Sequence, residues 1–345
     1  MTTELSEREL RVLEAVVQSY VDTAEPVGSR VISRRFGLGV SPATIRNAMS
    51  DLEEKGFLFH PHTSAGRVPT DRAYRLYVDA LMHAPRVTRE ERNAIRDGLI
   101  AEGSAVTAIL RCAAEVLGVL SQELGVAVAP SLADAKLDRL DLMAVSSDRL
   151  LLVLNLESGI VRTIFVEVPG TLPPDAVVKI AVVLNERLAG LTLREIRQTL
   201  AVRLRDTAVT PAESQLLDIF LATGEQIFDL PGATEEGVVL GHTSVLAEQP
   251  EFSSGQKMKE LIALTEQRDL LHKVLGEHTR AGTLTVTIGG ENPSQRLANL
   301  TIVTAPYRAG ALAGVIGVLG PTRMPYEKVV ALVEHTSKMV SDLLR

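Results

Sequence analysis

The apolar positions along the chain follow two rhythms. Near the N-terminus they recur every three or four residues, the spacing of one buried helical face. Leu5, Val12, Leu13, Val16, Val17 and Tyr20 mark a helix over residues 4–22, Val31, Ile32 and Phe36 a short one from Ser29, and Ile45, Ala48, Met49 and Leu52 a third. Further on, alternation and short apolar runs predict strands near 140–144, 150–155, 160–168, 283–288, 300–305 and 311–319. Helical spacing predicts helices over 105–124, 175–188, 193–204 and 213–227, one long helix holding Met258 to Leu275, and a last one over 326–344. Strand sets flanked by helices make this an α+β chain, and its 345 residues call for two or three domains.

The third helix is the best delimited. Ser41 is a favoured N-cap type, Pro42 fits the first helical position, and Gly56 suits the left-handed residue that ends a helix. Opposite its apolar stripe it offers Ser41, Ala43, Thr44, Arg46, Asn47 and Ser50. Arginine reaches guanine, asparagine reaches adenine, and small methyls or hydroxyls meet thymine, so this face has the chemistry of a recognition helix. Taken alone it also fits an ordinary surface helix. The flanks favour the first reading. Helix, helix, short turn, helix is the helix-turn-helix order. A strand-like Phe57-Leu-Phe59 follows, then a small-residue loop ending in Arg67 and a second short strand, which predicts a winged helix. In the wing, Ser64, Ala65 and Gly66 would let the backbone approach a phosphate closely, while His62 and Arg67 would anchor it.

Charge refines this picture. Overall the chain carries −7, which disfavours general affinity for polyanions. Residues 28–77 nevertheless hold eight cationic side chains against four anionic ones, a local +4 that leaves −11 on the rest. Such a patch suits a localised phosphate contact. The single cysteine, Cys112, allows no intramolecular disulfide and fits a reducing, cytoplasmic setting. No apolar run approaches the length of a membrane span, and the N-terminus lacks a secretory h-region. His60 and His62 lack a third ligand nearby, Gly314, Gly317 and Gly320 lack the dinucleotide spacing and read as close strand packing, and no catalytic constellation is visible. No metal, cofactor or enzymatic activity is therefore expected.

Several blocks are specific enough to suggest a family. Ser41-Pro-Ala-Thr-Ile-Arg-Asn-Ala-Met49, Pro61-His-Thr-Ser-Ala-Gly-Arg-Val-Pro-Thr70 and Tyr74-Arg-Leu-Tyr-Val-Asp79 resemble the heat-inducible transcription repressor HrcA family of bacteria. So do Ile288-Gly-Gly-Glu-Asn292, residues 300–307 and residues 314–326, apart from Gly289-Gly290-Glu291, where the family pattern leads one to expect two acidic residues in a row. The resemblance implies a winged-helix DNA-binding domain over 1–85, a linker over 86–104, and a GAF-like domain over 105–205 and 278–345. It also implies an inserted, mainly helical dimerising domain over 206–277. Met258, Leu261, Ile262, Leu264 and Leu271 are the candidate dimer residues, although a helical subdomain packed on its own chain explains the same pattern. The implied partners are an inverted-repeat operator in double-stranded DNA, a second copy of the chain, and the chaperonin GroEL, which would keep the repressor active. Two rival readings are a winged-helix regulator controlled by a small-molecule effector in its GAF-like domain, and a module that docks a protein instead of DNA.

Overall fold

A computed structural model describes the chain except residues 1–4, 63–64, 84–85, 102–105, 131, 171, 206–209, 229–236, 311 and 345. In chain order the first elements are α1 (Glu7–Thr23), α2 (Ser29–Arg35), α3 (Pro42–Glu54), β1 (Leu58–Phe59), β2 (Val68–Pro69) and α4 (Asp71–Leu76). Then come α5 (Arg89–Ala101), α6 (Val106–Ser121), β3 (Leu124–Val128), β4 (Leu137–Ser146), β5 (Arg149–Leu156) and β6 (Val161–Glu167). These are followed by α7 (Pro174–Leu188), α8 (Leu193–Leu204), α9 (Pro211–Phe228), β7 (Val238–Leu240) and α10 (Ser244–Ala247). The chain ends with α11 (Gly255–Glu266), α12 (Arg268–Ala281), β8 (Thr285–Ile288), β9 (Leu300–Ala309), β10 (Leu312–Pro321) and α13 (Tyr326–Leu343). The class is α+β.

The chain divides into two compact units. The first comprises 1–127, 239–306 and 315–340; the second comprises 128–238, 307–314 and 341–345. Contacts divide the chain near 128 and 238, and the segment 206–277, which the resemblance implies as an insertion, is shared between the two units. Strands β4 to β6, expected in the GAF-like part, share one core with α7, α8 and α9, because Leu200, Leu216 and Phe220 complete the apolar cluster started by Leu140, Leu152 and Leu154. Residues 239–277 belong to the first unit.

In the first unit α1 opens with a capping box, since Ser6 accepts the Glu9 amide at 3.3 Å and the Glu9 carboxylate accepts the Ser6 amide at 2.6 Å. Val12, Leu13, Val16 and Val17 lie in the core with Ile32, Ile45 and Leu52, while Val31 is turned outward. The main sheet has the order β7-β3-β10-β9-β8. Its strand β3 escapes the sequence pattern: a continuous run of buried residues directly after α6 reads equally well as more helix. Gly317 and Gly320 allow close approach there, as a Cβ would fall 1.9 Å from the Val303 carbonyl and from the Glu123 carboxylate respectively. The single helix expected through Met258 and Leu275 is two, α11 and α12. Gln267 leaves the helical region at ψ 64°, with no glycine or proline to announce the break.

The second unit is built on the antiparallel sheet β4-β5-β6. Leu140, Leu150, Leu152, Leu154 and Val166 line its buried face with Val177, Ile180 and Leu184 of α7. At the β4 edge Asn185 of α7 takes the place of a further strand. Its Oδ1 accepts the Leu140 amide at 2.8 Å, and its Nδ2 donates to the Leu140 carbonyl at 2.6 Å.

Candidate nucleic-acid interface

The candidate reading face is set by how α3 begins and ends. At its start the Ser41 hydroxyl accepts the Thr44 amide at 3.1 Å and lies 3.0 Å from the Thr44 hydroxyl. These two side chains are thus partly committed to capping. At its end Gly56, at φ +76°, donates to the Glu53 carbonyl at 2.9 Å, and Phe57 donates to the Leu52 carbonyl at 2.9 Å, a Schellman closure. Burial of Ile45, Ala48, Met49 and Leu52 against the other helices fixes the rotation of α3. Ala43, Arg46 and Asn47 are consequently exposed and Ser50 half-exposed. Among the described residues, Arg46 and Asn47 make no intramolecular hydrogen bond or ion pair. The arrangement presents a forked cation and a side-chain amide on one solvent face.

The hairpin differs from its sequence-based picture. Strands β1 and β2 pair antiparallel, Leu58 opposite Pro69 and Phe59 opposite Val68. Arg67 and Val27 exchange both backbone hydrogen bonds at 2.8 Å, tying the hairpin to the turn before α2. Gly66 serves that internal contact, because a Cβ there would fall 2.5 Å from the Pro26 and Val27 backbone. The Arg67 guanidinium lies 2.7 Å from Glu53 on α3 and is only partly exposed. His60 also pairs with Glu53. Arg67 therefore anchors the hairpin to α3, and His62, like His60 and Pro61, is exposed. Ser64 lies outside the described residues.

The basic patch is also more selective than its count suggested. Arg35 pairs with Asp22, Lys55 with Glu9 at 2.5 Å, and Arg75 with Glu291, while Arg72 donates to the Lys55 carbonyl at 2.8 Å and lies over the Phe57 ring. Arg30 and Arg34 on α2 join Arg46 as exposed cations with no intramolecular partner among the described residues. Arg30 and Arg34 counted toward the basic patch but were not among the residues expected to touch DNA. Their i,i+4 spacing outside the apolar positions of α2 was the signal available.

Of the candidate dimer residues, Leu261, Leu264 and Leu271 are 3%, 5% and 1% exposed inside the first unit. Met258 is half-buried, and Ile262 is exposed. Leu261, Leu264 and Leu271 thus pack within their own chain, and Ile262 is the candidate that stays on the surface. Among the described residues, no group of three or more His, Cys, Asp or Glu could hold a metal ion, and no helix is long and apolar enough to cross a membrane.

Residues 107–330 match the family described as HrcA protein C terminal domain. A heat-inducible transcription repressor HrcA of Chlorobium limicola is 40% identical over 353 aligned residues, covering 99% of this chain and 98% of the relative. The chain belongs to the HrcA family. A namesake from Geobacter sulfurreducens is 37% identical, with 99% of each chain covered. These full-length HrcA alignments extend through α1 to α4, which precede the matched C-terminal region. A crystal structure titled as a hypothetical protein at 2.2 Å resolution shares the fold over 99% of both chains, with a TM-score of 0.63 and 22% identity.

Proposed function

We propose that this chain is a sequence-specific transcription repressor of chaperone operons, acting from the cytoplasm as a homodimer. Residues 5–83 serve as a winged helix-turn-helix with α3 in the major groove, and the sheet β7-β3-β10-β9-β8 with its helices is the GAF-like body. The observation that carries the reading is the uncommitted, exposed Arg46–Asn47 pair on α3, in a chain whose full-length relatives bear the name heat-inducible transcription repressor. Arg46 and Asn47 read base edges, with Ala43 and Ser50 beside them. Ser41, Thr44, Ser64 and His62 contact phosphate or base, and Arg67 acts by holding the wing in place. Arg30 and Arg34 add phosphate contacts.

A palindromic operator calls for a twofold protein. The surface best suited to a second copy is the outer face of β4-β5-β6, where Met143, Val145, Val161 and Phe165 are 50–63% exposed. Met143, Leu151 and Phe165 lie in one cross-strand row, and contiguous exposed apolar surface of this kind suits a homodimer. In the monomer the same face would be a hydrophobic target for a chaperonin. This supports the regulatory half of the reading: GroEL keeps the repressor active, and unfolded protein produced by stress draws GroEL away.

A second reading retains the DNA-binding head but adds a small-molecule effector. It draws support from an open cavity of about 630 Å³ in the first unit, bordered by Tyr20, Tyr74, Lys257, Glu260, Arg296 and Arg323. Fluorescence anisotropy with labelled DNA from the host's chaperonin promoter and with a scrambled duplex tests both readings, with and without GroEL. Preference for the promoter, strengthened by GroEL, supports the first. Preference that appears only with a cell metabolite extract supports the second. Equal binding to both duplexes under every condition overturns both.

A further inference from the structure

The motif at 288–292 is not needed for DNA chemistry, yet it makes an exact mechanical fit with α4. Asp71 and Arg75 lie one turn apart on α4 and face the short turn Gly289–Glu291 that follows β8. Asp71 Oδ2 accepts the Gly290 amide at 2.9 Å. Arg75 Nε donates to Glu291 Oε1 at 2.8 Å, and its Nη2 donates to the other Glu291 oxygen and to the Val286 carbonyl, the latter at 2.6 Å. Glu291 is held from its own side by the Ile288 amide at 2.8 Å. Burial raises its pKa, but the hydrogen bonds from Arg75 and Ile288 outweigh this and leave the carboxyl below its ordinary range. Gly289 sits at φ +52°, and a Cβ there would fall 2.1 Å from the Asp71 carboxylate, so the approach requires glycine.

These contacts are directional. A two-pronged arginine–carboxylate pair and a carboxylate on a backbone amide fix an angle, whereas apolar packing tolerates sliding. The angle passes directly to α3. Thr70, which caps α4, donates to the Gly56 and Phe57 carbonyls at 2.9 and 3.1 Å, and Arg72 of α4 donates to the Lys55 carbonyl at 2.8 Å. Helix α4 is thus bonded to the end of α3 through three successive carbonyls and to the turn after β8 through Asp71 and Arg75. A separate tie, from Arg323 to the Val21 carbonyl at 2.6 Å with its guanidinium gripped by Glu251, holds α1 to the same body.

We propose that Asp71 and Arg75, with the turn Gly289–Glu291, form a latch that sets the direction of α3 and thereby determines which half-site spacing the dimer reads. These are positioning residues, distinct from those that touch DNA, and the assignment rests on the DNA-binding reading above. Arg75→Ala and Glu291→Gln touch neither the Arg323 tie nor the buried face of α3, so both variants are expected to fold, which an unchanged thermal unfolding profile checks.

The test uses the full-length chain and a series of operator duplexes whose half-site separation is changed in single base-pair steps, with a single half-site as control. Wild type is expected to prefer one spacing over its neighbours by roughly tenfold, and either substitution to reduce that preference to roughly threefold or less with half-site affinity unchanged. The exchanged pair Arg75→Glu with Glu291→Arg is expected to recover part of the preference. An unchanged spacing profile in both single variants overturns the latch. If wild type shows no sequence preference, the DNA reading fails, and a second measurement judges the latch. Spin labels at Glu54→Cys on α3 and Lys338→Cys on α13, in a Cys112→Ala background diluted with unlabelled protein, report the distance directly. A distribution that broadens in Arg75→Ala sustains the latch, and one that does not change overturns it.

Discussion

Helix α3 and the sheet β4-β5-β6 both bury one face in an apolar core, but what they leave in solvent is opposite. Against Ile45, Ala48, Met49 and Leu52, α3 sets Ala43, Arg46 and Asn47. Against Leu140, Leu152 and Leu154, the sheet sets Met143, Val145, Val161 and Phe165, with an ion pair between Arg139 and Asp141 on β4. A polar face with uncommitted donors gains nothing by leaving water unless its partner satisfies them. An apolar face gains by meeting another of its kind. On the function proposed above, the first surface meets a nucleic acid and the second a copy of the chain.

The most damaging test of that contrast is Phe165→Glu. A charge in the middle of the apolar row is expected to cost at least about 2 kcal/mol of association, the scale of a central aromatic anchor. Sedimentation equilibrium should show monomer, with operator affinity falling in parallel. A persistent dimer would move the interface elsewhere, and Ile262 on α11 would be the next residue to change. Arg46→Ala comes next, with an expected loss of about 1–3 kcal/mol on the cognate operator and less on random DNA in anisotropy titrations. Equal losses on the two would make Arg46 a phosphate contact and weaken the idea that α3 reads bases.

Smaller effects sharpen the picture. Ser41→Ala removes the cap of α3 and is expected to cost about 1 kcal/mol in urea unfolding. The Ser41 hydroxyl is already bonded to the Thr44 amide, so a further loss of DNA binding that is equal on all sequences would mark its contact as one to phosphate, and a loss confined to the operator would mark it as one to a base. The last concerns acid. The Lys55 hydrogen bond, joined by those from Ser6 and opposed by burial, holds the Glu9 carboxyl at about 2, below its ordinary 4.5. A depressed folded-state value stabilises the fold above pH 4.5, and that contribution fades as pH falls from 4.5 toward 2. Lys55→Met should flatten the pH dependence of stability in that window, measured by thermal unfolding at constant ionic strength. An unaltered slope would show that Lys55 does not govern this carboxylate.

Much of the head was legible because its signals are local. The cap, the proline at the first helical position, the stripe at three- and four-residue spacing and the closing glycine all act within α3 itself. Strand β3 was missed because a continuous apolar run carries no period, and the break at Gln267 because no residue type marks it. Likewise, the wing loop looked suited to approaching phosphate. Yet Gly66 is required by the Pro26–Val27 backbone and Arg67 is drawn to Glu53, partners that lie far from them in sequence.

By itself, then, the sequence determined which segments become helices and strands in the head, which face of α3 meets water, and the family to which the chain belongs. Tertiary structure alone decided which cations of the basic patch stay unpaired, where contacts divide the two compact units, and that Leu261, Leu264 and Leu271 turn inward. The physical reason is range. Capping and periodic burial depend on neighbours within a turn or two, whereas ion pairing and the choice between a core and an interface depend on what the rest of the chain brings alongside.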